Sequence, residues 1–132
     1  MTKTLTSTLI FIMPHIDSTR FGEITVDGKK YHQVLIAGDR VEERDYDRLT
    51  GLFGTSHRIG DWEVEAIFAG DPEALVIGTG QSGMLEVRAD ISARAAEKEI
   101  AVITALTPEA IKVYNEKTRA GRHVNALIHT TC

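Results

Sequence analysis

Ala74-Leu75-Val76-Ile77-Gly78-Thr79-Gly80-Gln81-Ser82-Gly83 is a continuous apolar run that breaks into glycines. An apolar run without alternation indicates a strand covered on both faces, the kind found in parallel sheets flanked by helices. Working outward, the segment before it predicts a helix. Asp61 stands as its cap, Val64, Ile67 and Phe68 share one face, Glu63 and Glu65 point outward, and Gly70 closes it with φ > 0. Trp62, at that helix start, reads as a packing residue.

On the other side, a helix around residues 91–99 leads into a strand at 100–106. Thr107-Pro108-Glu109 opens the next helix, with Thr as cap, Pro at the first helical position and Glu near the positive dipole end. Its buried stripe is Ala110, Ile111 and Tyr114, Gly121 ends it, and residues 123–129 form a last strand. On that strand Val124, Ala126 and Ile128 face one way, Asn125 and Leu127 the other. The pattern predicts a central or near-central strand, parallel to its neighbours, with Thr131 and Cys132 adding little stability.

Nearer the start, Gly22-Glu23-Ile24-Thr25-Val26 alternates, Asp27-Gly28 supplies a type I′ turn, and residues 30–37 run back. Residues 38–60 read as polar and turn-rich, and Asp39-Arg40-Val41-Glu42-Glu43-Arg44-Asp45 as a solvated charged strand or loop. Residues 1–14, with the short apolar run Leu9-Ile10-Phe11-Ile12-Met13 ended by Pro14, read as a strand or a partner-facing arm. That run is too short to span a membrane and has no small-residue cleavage pattern after it. The expected architecture is one domain over residues 1–132. It is a three-layer α/β domain with a mixed sheet, an N-terminal antiparallel hairpin and parallel C-terminal strands with helices on both faces.

Composition narrows the functions. The chain has 132 residues, 42% hydrophobic and 26% charged, with a net charge of -4. Its basic residues are interleaved with acids, which argues against a nucleic-acid partner. A single cysteine, Cys132, excludes an internal disulfide and favours a reducing, cytoplasmic setting without a membrane.

The loop Gly78-Thr79-Gly80-Gln81-Ser82-Gly83 matches G-x-G-x-x-G after a strand. A dinucleotide site also needs a helix starting at the glycines and an acid ending the next strand. Met84-Leu85-Glu86-Val87 continues extended, and Ile103-Thr104-Ala105-Leu106 carries no carboxylate, so no cofactor is expected. The loop still lies where open α/β sheets place ligands, and its amides could form a nest for a small anion, with Gln81 and Ser82 adding donors. The plainer reading is a tight turn bringing two elements together, with at least one of Gly78, Gly80 and Gly83 at φ > 0. Ser56-His57 with Asp61 suggests a nucleophile, base and orienter, but no nucleophile-elbow motif surrounds the serine, and the simpler reading is a settled loop. His129-Thr130-Thr131-Cys132 has metal-ligand residue types, yet positions three apart on a strand face opposite ways, so no metal is expected.

Several segments together resemble one known family: Ile16-Asp17-Ser18-Thr19-Arg20-Phe21-Gly22, Val26-Asp27-Gly28, Gly54-Thr55-Ser56-His57, the stretch from Leu75 through Gly83, Thr107-Pro108-Glu109-Ala110, Tyr114-Asn115 and His129-Thr130-Thr131-Cys132. In that order they resemble the Mth-938-like domain family, proteins of unknown function first seen in a methanogenic archaeon. The resemblance implies a three-layer α/β fold and carries over no catalytic residue. Eukaryotic members of that family include an adipogenesis-associated protein and a mitochondrial complex I assembly factor, which implies a role through protein contacts, although no Arg-rich mitochondrial leader is present.

The leading expectation is therefore a non-enzymatic binding or assembly module, with a protein partner or a homo-oligomer. The alternative is an enzyme or small-molecule binder using Gly78, Thr79, Gly80, Gln81, Ser82 and Gly83 with His57 or His129.

Overall fold

The computed structural model describes residues 12–132, so most of the apolar run at 9–13 lies outside the described residues. A small antiparallel sheet comes first, with order β1 (Ile16–Arg20), β2 (Glu23–Val26) and β3 (Lys29–Tyr31). Asp27 and Gly28 both have positive φ, 48° and 80°, as a type I′ turn requires. Residues 30–37 are not one strand. The chain leaves the small sheet at His32-Gln33 and enters a second one as β4 (Val34–Ala37), where it pairs antiparallel with β5 (Arg40–Glu43).

The stretch 38–60 holds more order than its polarity suggests. Besides β5 it contains α1 (Tyr46–Phe53), capped by Asp45, which accepts from the Arg48 N–H at 3.0 Å. Only Leu49 of that helix is buried, so no apolar stripe announces it. Then follow α2 (Asp61–Ile67), β6 (Ala74–Thr79), α3 (Ala89–Glu97), β7 (Ala101–Ala105), α4 (Thr107–Arg119) and β8 (Val124–His129).

The five-stranded sheet has the order β5-β4-β8-β6-β7. β6 runs parallel to β7 and β8, while β4 is antiparallel to β5 and β8. The last strand is thus central, and parallel on one side only. The expected mixed three-layer architecture is present. One face of the sheet (Ile36, Val76, Ala126, Ile128) packs on α4 and on Ile16, Ile24 and Val26 of the small sheet. The other face (Leu35, Leu75, Ile77, Leu127) packs on Val64 and Ile67 of α2 and Ile91 and Ala95 of α3.

Three local expectations need correction. Asp61 does not cap α2: Gly60 is the cap residue, and Glu63 reaches back to its N–H at 3.1 Å. Glu63 is wholly buried, not outward. Thr107 does not cap α4 either. Its hydroxyl turns inward, donating to the His129 carbonyl and accepting from the Gly80 N–H.

Among the described residues the Tyr114 hydroxyl is the buried side-chain polar atom without a hydrogen bond, and burial raises its pKa far above the phenol value. Tyr114→Phe should therefore leave the thermal midpoint unchanged or raise it, since it removes an unpaired polar atom and keeps the ring.

Candidate functional site

Behind the sheet end where β6 and β8 finish lies a buried polar cluster centred on Arg44. Its side chain and that of Glu63 are both fully shielded from solvent. The guanidinium forks onto Glu63, Nε to Oε2 at 2.7 Å and Nη2 to Oε1 at 2.8 Å. Nη1 donates to Gln33 Oε1 at 2.7 Å and to the Ser56 carbonyl at 3.2 Å, and Nη2 to the Arg58 carbonyl at 2.9 Å. All five guanidinium N–H groups thereby find an acceptor, the condition under which a buried charge is tolerated.

His129, at the end of β8, closes the cluster. Its Nδ1 lies 2.7 Å from Gln33 Oε1 and its Nε2 lies 3.1 Å from Thr131 Oγ1. Because Gln33 Oε1 is an acceptor, the network assigns the proton to Nδ1 and leaves Nε2 to accept from the threonine. Burial first, then the Arg44 charge, pushes the imidazole pKa down to about 3. His57 meets it edge-on, ring centroids 5.1 Å apart.

The pH consequence has a definite sign. A folded pKa near 3 lies below the ordinary 6.5, so under pH 6.5 the unfolded chain takes up a proton that the folded chain refuses. Stability present above pH 6.5 is lost as pH falls towards 3, by ~3 kcal/mol at pH 4. His129→Asn, which keeps a donor for Gln33, should flatten that part of the profile. Urea melts from pH 7 to pH 4 measure it, and equal slopes in both proteins would contradict this assignment.

The 78–83 loop sits directly against this cluster, since Thr79 pairs with His129 across the β6–β8 ladder. Gly80 and Gly83 have φ of 107° and 81°, as expected of a strand that turns without a helix. The loop amides are engaged by the chain itself. Gln81 N–H donates to the Thr131 carbonyl at 2.8 Å, and the Ser82 and Met84 N–H groups both donate to the Cys132 carbonyl oxygen at 3.0 Å. Thr131 and Cys132, expected to add little, thus supply the acceptors for this loop. A Cβ on Gly80 would come within 2.6 Å of the Cys132 backbone. Gly80→Ala should cost more than about 1 kcal/mol, because no L side chain adopts that φ comfortably and residue 132 would be pushed off the loop. A denaturation midpoint equal to that of the parent chain would overturn this.

Residues 16–129 match the sequence profile of a family described as "Protein of unknown function (DUF498/DUF598)". The chain belongs to this family. Among solved structures, this DUF498 chain is similar to conserved hypothetical protein PH1505 from Pyrococcus horikoshii OT3, at 32% identity over 89% of this chain and 98% of that one, with TM-score 0.73. It is similar to MT938 at 33% identity over 90% and 99% of the two chains, TM-score 0.69. The Mth-938-like resemblance therefore holds. An outer membrane protein from Bartonella henselae shares the fold at 18% identity, over 91% and 97% of the chains, TM-score 0.72. No curated protein matches the chain. Among the described residues no helix is long and apolar enough to cross a membrane.

Within this DUF498 fold, His57, His129 and the 78–83 loop are brought together. Ser56, His57 and Asp61 do not form a relay. The Ser56 hydroxyl accepts from Gln33 Nε2 at 3.3 Å, while the exposed Asp61 carboxylate pairs with Arg88 at 2.7 Å. No three His, Cys, Asp or Glu side chains among the described residues gather as metal ligands. The residues that hold the cluster together, Arg44, Gln33 and Glu63, were missed. Arg44 lies in a charged run that reads as solvated, Glu63 on a helix face that reads as outward and Gln33 in the returning arm of a hairpin; only the N-cap-to-N3 spacing of Gly60 and Glu63 hints at an inward carboxylate.

Proposed function

We propose that the protein is a non-enzymatic binding or assembly module that acts through contacts with another protein, at the end of the fold where β6 and β8 finish. One observation carries this reading: four large apolar side chains stand exposed on segments tied to residues 130–132, Phe21 at 64%, Tyr46 at 49%, Met84 at 56% and Leu106 at 49%. Phe21 precedes Gly22, whose N–H donates to the Thr130 carbonyl, and Met84 N–H reaches Cys132. Tyr46 packs edge-on to His32, whose carbonyl accepts from Thr130 Oγ1, and Leu106 lies against Gly83. Clustered exposed apolar groups of this size mark interaction surfaces, whereas scattered ones need no explanation. Beneath them the polar groups are engaged with one another.

The full chain, used as bait in native extract, should recover a stoichiometric partner. The variant Phe21→Ser/Met84→Ser/Leu106→Ser should recover at least tenfold less with an unchanged melt. Recovery of the chain alone, or equal capture by the variant, would reject this surface. Sedimentation of the pure protein separates a second copy of the chain from a foreign partner.

A second reading, a small-anion binder or enzyme at the 78–83 loop with His57 or His129, is favoured by the convergence of donors there. Ser82 N–H, Ser82 Oγ and Met84 N–H all meet one oxygen of Cys132. An anion would take that cradle only by displacing residue 132, so phosphate titration should shift the amide resonances of Ser82 and Met84 under this reading and leave them still under the first.

A further inference from the structure

The α1 helix, the 58–62 segment and the 86–89 stretch line a cleft of about 640 Å³, in the size range of small-molecule sites. Its walls pair aromatic rings with guanidiniums. The Arg48 guanidinium carbon lies 3.8 Å from the Trp62 ring centroid, and that of Arg58 lies 5.4 Å from the Phe53 centroid. Phe53 and Leu52 are exposed, while Ile59 is buried beneath them.

The three arginines differ in how they are used. Arg88 is spent on structure, bound to Asp90 through Nε and Nη2 and to Asp61 and the Ile59 carbonyl through Nη1. Arg58 faces Glu86 at 3.3 Å, but both side chains are more than half exposed, and such a pair contributes little. Arg48 has no carboxylate within ion-pair distance among the described residues; the indole is what its guanidinium touches. One planar face of Arg48 is thus covered, leaving the other face and the in-plane N–H groups for a partner. Arg58 and Arg88 are matched by Glu86, Asp61 and Asp90, so Arg48 is the lining guanidinium whose charge faces no carboxylate at ion-pair distance among the described residues.

From these features we infer that the cleft binds a small aromatic anion. The ring lies on the open face of Arg48 and against Phe53, Ile59 and Leu52, and its phosphate or carboxylate accepts from the Arg48 and Arg58 N–H groups. A guanidinium seated over an indole can meet a conjugated ring while its N–H groups donate to an anionic group, a combination that neither a bare anion nor a neutral ring can exploit fully. None of the residues lining this cleft is among Phe21, Tyr46, Met84 and Leu106, so either proposal can fail without the other.

Trp62 is the one tryptophan in the chain, so its fluorescence reports directly on the cleft. Phenyl phosphate is the probe, with inorganic phosphate and phenol as its two halves, and calorimetry gives the same constants without relying on the indole. The expected result is saturable binding of phenyl phosphate at least tenfold tighter than of either half. Arg48→Ala and Phe53→Ala should each weaken it at least tenfold with an unchanged melt, while Arg122→Ala, in an exposed pair with Glu73, changes nothing. No saturation, equal affinity for inorganic phosphate, or full binding by folded Arg48→Ala would each overturn the proposal.

Discussion

Glu63→Gln should destabilise the protein by roughly 3–5 kcal/mol, because it leaves the Arg44 charge buried without a counter-charge. The amide keeps the shape of the carboxylate, so cavity formation adds little. What changes is the fork: Nε and Nη2 of Arg44 now meet one oxygen and one NH₂ group, and one guanidinium N–H points at a donor. Gly60 also depends on that carboxylate for its N–H acceptor at the start of α2. Arg44→Met should cost about as much for the opposite reason, a carboxylate left alone at zero exposure. The two losses should not add. Arg44→Met/Glu63→Leu removes both charges together, and buried ion pairs replaced by apolar side chains of similar volume are often near neutral, so the double variant should recover most of the stability. Denaturant midpoints of the three proteins form the cycle. A Glu63→Gln cost under about 1 kcal/mol would mean that water reaches the pair and that the cluster is not the closed unit described above.

The same cluster shows where reading from sequence reaches its limit. Strands such as β6 and β8 are legible because their apolar residues are contiguous and their burial follows from pattern alone. Asp27-Gly28, Gly70, Gly80 and Gly121 are legible because a positive φ is a local demand that local chemistry answers. Arg44 is different. It sits among Glu42, Glu43 and Asp45, and nothing within a few residues distinguishes it from its solvated neighbours. Its burial is decided by Glu63, 19 positions away, by Gln33 in the link between β3 and β4, and by His129 at the end of β8. Glu63 suffers from brevity: α2 has seven residues, too few turns for periodicity to say which face of the helix looks inward. His57 stands out beside Ser56 and His129 in the closing His-Thr-Thr-Cys, residue types that carry chemistry, and the fold brings the two rings together. That residues 131 and 132 would fold back over the glycine loop is a tertiary closure that no local propensity encodes.

Deletion of residues 124–132 should abolish cooperative unfolding altogether. β8 is the middle strand of the larger sheet, hydrogen-bonded to β4 on one side and β6 on the other, and all six of its residues are buried. Without it the β4–β5 hairpin has no partner in the sheet, and the parallel pair β6–β7 exposes a new edge along an apolar strand. Val124, Leu127 and Ile128 alone represent roughly 4.5–9 kcal/mol of burial, at about 1.5–3 kcal/mol for each side chain. That is comparable with the whole stability of an ordinary domain, roughly 5–15 kcal/mol. Asn125 adds a specific tie: its side chain accepts from the Gly38 N–H at 2.9 Å and donates to the Ile67 and Ala69 carbonyls, both at 2.8 Å, joining the β4–β5 turn to the end of α2. Because a deletion can also fail through aggregation of the exposed edge, a point variant tests the same strand independently. Asn125→Leu keeps the branched heavy-atom skeleton but leaves those three backbone groups without their partner, and should cost about 3 kcal/mol or more while the protein still folds. Thermal and urea melts followed by circular dichroism read both. A sharp transition in the deletion variant near that of the full chain, or an Asn125→Leu midpoint unchanged from the parent, would mean that β8 does not hold the centre of the sheet.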